Sequence, residues 1–174
     1  MKRELTGLIA APLVIGIVYF SSPIFFMFFV VVVILMGVNE YFTIIERVGV
    51  NGFRVPGIIL SLLLLLCFYF DERFILEWGL LASVTLFAVW FFQGDNVKDA
   101  IDQVSFTLFG VLYVAGLGSY YLLIRKLEDG ERLVLFLLLI IWLGDIAAYY
   151  WGKNFGKKRL APIVSPNKTV EGGI

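Results

Sequence analysis

The sequence predicts an all-α fold: a polytopic transmembrane helix bundle of about six spans, in a single transmembrane domain over 1–174. Three observations predict it. Of the 174 residues, 60% are hydrophobic and only 16% charged, where soluble domains carry about 25% charged residues. The apolar residues fall in blocks near the ~20 residues a spanning helix needs, not at the spacing of an amphipathic surface helix. Short polar or Gly- and Pro-containing breaks separate the blocks.

Leu5–Ser22 is the first block, preceded by Lys2 and Arg3. A basic start and an apolar run imitate a secretory signal. No small-x-small site precedes Ser21-Ser22-Pro23, however, and a second block follows at once, so the first is read as an uncleaved span. Pro23 suits a helix start, because its missing N–H does no harm in the first turn. Pro23–Ile45 is the second span, with Asn39 and Glu40 near its far end. The tight Ser21-Ser22-Pro23 connection leaves open a bent hairpin that does not fully cross. After the polar loop Glu46–Arg54, Phe53–Phe70 is the third span and Pro56 lies in its first turn. Asp71-Glu72-Arg73 breaks the run, and Phe74–Phe92 is the fourth. The loop Gln93–Asp102 leads to the fifth span, Gln103–Ile124, whose Gly110, Gly116 and Gly118 permit close helix approach. The loop Arg125–Arg132 leads to the sixth, Leu133–Gly152.

Six crossings put ten of the fourteen Lys and Arg residues on the side that holds both termini, so both termini are expected in the cytoplasm. Arg125, Lys126 and Arg132 run against that trend. The net charge is zero, so no global field favours a nucleic-acid partner. Histidine is absent, which excludes imidazole acid–base catalysis and His metal sites. Cys67 is the one cysteine and sits in an apolar run, so it forms no internal disulfide.

Chemistry concentrates in Leu133–Gly173. Asp145 lies about two-thirds of the way along an apolar run. An acid inside a span costs about 2.5–3.5 kcal/mol on the insertion scale and faces the bundle interior, a partner or a watery cavity. Trp142, Tyr149 and Gly152 share its helical face. Glu40 is a weaker case, near enough to a span end to reach headgroup water. A structural role, with the carboxylate satisfied by a hydroxyl, stays open for Asp145. The run then leaves the membrane through Tyr149, Tyr150 and Trp151 into a cationic stretch with Lys153, Lys157, Lys158 and Arg159. Only three residues separate Gly152 from Gly156, and no Ser or Thr follows the lysine, so this is not a Walker A loop. A basic cluster holding anionic headgroups explains Lys157, Lys158 and Arg159 equally well. Ser165-Pro166-Asn167-Lys168-Thr169-Val170-Glu171-Gly172-Gly173 carries more than charge. Its hydroxyls, amide, lysine and Gly pair can wrap a polyphosphate with directional donors. Glu171–Ile174 is read as the start of a further helix, whose amides would face the anion.

The run from Asp145 to Lys157, with Ser165–Gly173 after it, resembles the CdsA-type phosphatidate cytidylyltransferases. Arg3 with Thr6, and Asn39-Glu40-Tyr41, are similar to that family's N-terminal pattern. The resemblance implies a membrane nucleotidyltransferase of phospholipid biosynthesis. It would make CDP-diacylglycerol and pyrophosphate from CTP and phosphatidic acid, with Mg²⁺. It places Asp145 in a membrane-embedded polar site and Ser165, Asn167, Lys168 and Thr169 at the nucleotide phosphates, with Glu171 alongside. On that reading Asp145 and Lys168 are the catalytic candidates, and Asp145 is also the candidate metal ligand. Lys157, Lys158 and Arg159 add fixed positive charge. The family's C-terminal HGG-x-x-D-R-x-D signature has no counterpart here, so the chain is expected to correspond to the N-terminal part of such an enzyme. The expected partners are CTP, phosphatidic acid and the bilayer, with no nucleic acid and with a homodimer left open. Two alternatives stand beside this reading: a CTP-dependent polyprenol or dolichol kinase, and a non-enzymatic transporter or lipid-binding subunit.

Overall fold

A computed structural model describes residues 2–93, 97–161 and 165–173. They pack as two compact units, Met1–Gly130 and Glu131–Ile174. Among the described residues the first unit carries α1 (Lys2–Phe20), α2 (Pro23–Arg47), α3 (Arg54–Phe70), α4 (Ile75–Gln93), α5 (Val97–Gly110) and α6 (Leu117–Lys126). A 3-10 turn, Glu72–Phe74, precedes α4, and a π-helical segment, Val111–Gly116, joins α5 to α6. The second unit holds α7 (Gly130–Phe155) and a hairpin of β1 (Arg159–Ala161) and β2 (Ser165–Thr169).

Among the described residues four stretches are long and apolar enough to cross a membrane: Pro23–Arg47, Glu72–Phe92, Asp99–Lys126 and Gly130–Phe155. Arg54–Phe70 is apolar but has only 17 residues. At 1.5 Å per residue such a helix rises about 26 Å, short of the ~30 Å hydrocarbon core. The expected count of about six is therefore slightly high, while the all-helical membrane bundle holds. The helix starts follow local chemistry. Ser22 caps α2, its Oγ accepting from the Phe25 amide at 3.3 Å with Pro23 in the first turn. Gly49, at φ +85°, ends α2 in the left-handed conformation that glycine tolerates. The expected loop Gln93–Asp102 is shorter than the sequence suggests, because α5 already begins at Val97. Ala100, Val104 and Thr107 are buried at helical spacing, and Asp99 sits favourably in the first turn.

In the first unit α3 is the hub, packing against α2, α4, α5, the π segment and α6. Its Leu60, Leu64, Leu65 and Phe68 are buried. Phe26, Val30, Ile34, Val38, Phe42 and Ile45 form the buried stripe of α2, nearly all at four-residue steps. Small residues let the backbones close up. A Cβ on Gly118 would stand 2.6 Å from Ile34 Cδ1, and one on Gly110 would enter the Tyr41 ring. The Tyr41 hydroxyl donates to the Phe106 carbonyl at 2.8 Å, one turn before the π segment.

Polar groups are paired across elements. Thr107 Oγ1 donates to the Gln103 carbonyl at 2.6 Å and accepts from the Phe53 amide at 2.8 Å, satisfying a free N–H at the start of α3. Arg54 ties the end of α2 to α3, with Nη2 at 2.8 Å from Asn39 Oδ1 and Nη1 at 3.2 Å from Glu46 Oε2. Lys126 Nζ donates to the Phe68 carbonyl at 2.9 Å and so caps the end of α3. Asp71 is held at a pKa of about 2 by hydrogen bonds from the Arg73 guanidinium and amide. The Thr107→Val variant is expected to lose about 1–3 kcal/mol, because the Phe53 amide would lose its partner. Thermal unfolding of purified protein in detergent checks this.

Candidate functional site

The second unit builds its site from the last turns of α7 and the tail that folds back on them. α7 runs past the expected Gly152 to Phe155, with the Gly156 amide still bonded to the Gly152 carbonyl at 3.0 Å. The chain after it, expected as a basic loop, pairs over 159–169 as an antiparallel hairpin. Arg159 stands opposite Thr169 and Ala161 opposite Ser165. The Val170 amide extends the pairing to the Lys158 carbonyl at 2.9 Å. Residues 170–172 then bend and turn, the Gly173 amide reaching the Val170 carbonyl at 3.0 Å.

Glycines set how closely the tail lies on the helix. A Cβ on Gly172 would stand 2.9 Å from Gly152 Cα and 2.7 Å from the Ala148 carbonyl oxygen. A Cβ on Gly152 would stand 2.8 Å from Thr169 Oγ1, and one on Gly156 would stand 2.5 Å from Thr169 Cγ2. No larger residue fits these three positions without moving the tail. The Glu171 carboxylate closes the loop, accepting the backbone amides of Lys157 at 3.1 Å and Lys158 at 3.3 Å.

A cavity of about 720 Å³ opens between helix and tail. Its charged lining is Asp145, Lys153 and Lys168, and Tyr149, Thr169, Gly152 and Gly172 complete the polar and close-packed wall. One carboxylate against two ammonium groups leaves the cavity biased towards anions. Thr169 Oγ1 is shut off from solvent and has no hydrogen-bond partner, so it is a polar atom in the wall with its bonding capacity unspent. Lys153 Nζ lies 5.9 Å from the centre of the Tyr149 ring, a cation–π contact that holds the ammonium over the aromatic face.

The structure thus brings together three residues expected from the sequence: Asp145, Lys168 and Thr169. Asp145 is on the cavity wall and exposed, and among the described residues nothing hydrogen-bonds its carboxylate. Lys157, Lys158 and Arg159 do not line this cavity. The first two contribute backbone amides to Glu171, and Arg159 forms β1. Glu171, expected beside phosphates, is engaged by those amides and faces a second cavity of about 610 Å³ with Gly144, Ala147, Ala148 and Trp151. Hydrogen bonds from its own backbone and from Lys157 hold its carboxyl below the usual range. The side chains of Ser165 and Asn167, like those of Arg3 and Thr6, lie outside the described residues. Lys153 is the functional candidate that sequence reasoning left among the basic-stretch residues. Its i+8 spacing from Asp145 and i+4 spacing from Tyr149 is the signal that places it on the same face.

Among the described residues no three acidic or thiol side chains cluster as metal ligands. Within the cavity, Asp145 supplies the single carboxylate. That donor set fits an Mg²⁺ that keeps its waters and is shared with substrate phosphates, and it does not make an all-protein cage.

These features define a polytopic membrane protein whose last helix and folded-back tail enclose an anion-favouring cavity. The chain belongs to the cytidylyltransferase family, whose profile matches residues 1–174. It is 30% identical over 179 residues to the phosphatidate cytidylyltransferase of Bacillus subtilis (strain 168), covering 98% of this chain and 65% of that protein. It is similar to the phosphatidate cytidylyltransferase of Staphylococcus epidermidis at 30% identity over 177 residues, again 98% of this chain and 65% of the relative. A shorter stretch of 72 residues is 42% identical to the Staphylococcus saprophyticus enzyme of that name, 41% of this chain and 27% of the relative. The chain therefore spans about 65% of the length of the relatives it matches end to end. No solved structure gives a significant match.

The carboxylate of Glu171 titrates below the ordinary glutamate value, held down by the backbone amides that it accepts. Its contribution is therefore complete above that value and is lost as pH falls through the lowered folded value. Acidification through that window is expected to release the tail while α7 stays helical. Glu171→Ala is expected to do the same at neutral pH. Amide hydrogen exchange at Lys157 and Lys158, expressed as protection relative to the intrinsic rate at each pH, reads both, and loss of protection at these two amides is the expected result. Gly152→Val is expected to expose the same amides by pushing Thr169 and Gly172 off the helix.

Proposed function

We propose that this protein takes part in making CDP-diacylglycerol from CTP and phosphatidic acid, releasing pyrophosphate, as a multi-pass protein of the inner (cytoplasmic) membrane. The single observation that carries the reading is the cavity that gathers Asp145, Lys168 and Thr169, in a chain similar to phosphatidate cytidylyltransferases over nearly its full length. The cluster of Lys153, Lys157, Lys158 and Arg159 directly after the last span supports a tail on the cytoplasmic side, where the nucleotide is.

In this reaction a phosphate oxygen of phosphatidic acid attacks the α-phosphorus of CTP. The new bond is P–O–P, and the bond to the β-phosphate breaks with its electron pair leaving on pyrophosphate. Both reactants are strongly anionic, so the protein's work is positioning and charge neutralisation. Lys168 offers a compact positive charge to the phosphates, and Thr169, packed against Gly152 and Gly156, holds the Lys168 strand to the helix end. Asp145 would hold an Mg²⁺ brought in with the triphosphate. Bound there, that ion neutralises charge on the phosphate oxygens. Glu171 keeps the hairpin on the helix end, so that Lys168 and Thr169 stay over the cavity.

Membranes containing the protein, supplied with radiolabelled CTP and phosphatidic acid, are expected to yield labelled CDP-lipid. Lys168→Ala and Asp145→Ala are each expected to lower turnover by about 10²–10³-fold, the scale for losing one electrostatic contact to a transition state. Near-normal synthesis by either variant would remove that residue from the site. CTP labelled at the α-phosphate reports CDP-lipid, and a parallel reaction with CTP labelled at the γ-phosphate that yields labelled polyprenyl phosphate, with no α-label in lipid, would replace the reaction by a kinase.

A further inference from the structure

The geometry points to Lys153 as the ligand for the phosphomonoester headgroup of the lipid substrate, in a subsite separate from the nucleotide contacts made by Lys168. This assignment rests on the reading above and divides its cavity between two substrates.

The two lysines enter the cavity from different parts of the chain. Lys153 stands in the last turn of the membrane-spanning helix α7, and Lys168 stands on the hairpin beyond it. Tyr149, Tyr150 and Trp151 mark the headgroup level on α7, where aromatic residues gather at a membrane boundary. Lys153 lies one turn further out. Its Nζ at 5.9 Å from the Tyr149 ring centre shows the side chain turned along the helix and back to that level. Asp145, Tyr149 and Lys153 follow one another at four-residue steps, so they form a single stripe along the helix. Asp145 is about 12 Å from Lys153 along the axis, at 1.5 Å per residue.

The direction of approach then decides which substrate meets which lysine. A lipid carries its phosphate at the headgroup level and slides along the bilayer, so the first cation it meets on α7 is Lys153. A free nucleotide arrives from water and meets the hairpin with Lys168 and Thr169. The chemistry agrees. An ammonium is a point charge that suits a compact, nearly doubly charged phosphate monoester. No carboxylate neutralises Lys153 among the described residues, and its contact is with an aromatic face. Binding of any anionic lipid by charge alone would be worth about 1 kcal/mol per cation and would not discriminate among headgroups. The subsite is distinguished by charge: a terminal phosphate carries nearly two negative charges near neutral pH where a phosphodiester carries one, and Lys153 meets it with an ammonium that no carboxylate neutralises among the described residues.

The test uses the full chain in phosphatidylcholine nanodiscs, without CTP, so that it stands apart from turnover. Native mass spectrometry counts lipid retained when phosphatidic acid or phosphatidylglycerol is doped in at equal amounts. The parent protein is expected to retain phosphatidic acid at least tenfold over phosphatidylglycerol. Lys153→Gln is expected to bring that ratio near one, and Lys153→Arg to restore part of it. Lys168→Gln is expected to keep the ratio while weakening CTP binding in a parallel titration. Soluble glycerol 3-phosphate is expected not to displace the lipid at matched concentration. Equal retention of both lipids by the parent, an unchanged ratio in Lys153→Gln or loss of the ratio in Lys168→Gln would each overturn the assignment. Displacement by glycerol 3-phosphate would do so as well, by showing a site for free phosphate. A parent that discriminates between lipids but yields no labelled CDP-lipid would fail the reaction while leaving the lipid subsite standing.

Discussion

The contact on which the site depends is one between two backbones, Gly152 in α7 and Gly172 in the tail. A methyl group on Gly172 would fall 2.9 Å from Gly152 Cα, so the pair can meet only because both lack a side chain. From that contact the rest follows. Thr169 settles into the notch left by Gly152 and Gly156, the hairpin lies along the last turn, and Lys168 arrives over the face that carries Asp145 and Lys153. The carboxylate of Glu171 then fastens the loop from the other end. Neither glycine carries a charge or a side-chain donor of its own, yet both decide where the anion-binding groups stand.

The first unit uses the same device for a different purpose. Gly110 and Gly118 let α2 lie against the π segment and α6, with Tyr41 and Ile34 filling the space a side chain would need. The polar groups that this packing strips of water are bonded across helices, as with Thr107 to the Phe53 amide and Arg54 to Asn39. In hydrocarbon such pairing is close to obligatory, since no water can replace a missing partner. Asn39 and Tyr41, which stood out in the sequence as polar residues closing the second span, are accounted for by these bonds. Glu40 beside them stays exposed.

Much of this was legible in the sequence because the bilayer imposes a coarse rule. Long apolar blocks became helices, and Pro23 began one where its ring geometry said it would. Asp145, Lys168 and Thr169 were singled out by type, an acid where acids are costly and donors beyond it, and they do line one cavity. What escaped depends on contacts distant in sequence. The early start of α5 is set by Ala100 and Val104 packing on the bundle, which a polar-looking stretch does not advertise. The hairpin depends on backbone pairing between segments that include Pro166 and so read as loop. The family resemblance set Glu171 beside the phosphates, and the distances show its oxygens turned towards main-chain amides.

That last detail separates the shape of the tail from its charge. Because Glu171 grips the peptide N–H groups of Lys157 and Lys158, the ammonium ends of those residues are left out of the grip. Evolution can therefore alter the local charge at both positions without disturbing the loop, provided neither becomes proline. The electrostatics of this membrane surface and the architecture beneath it can drift independently.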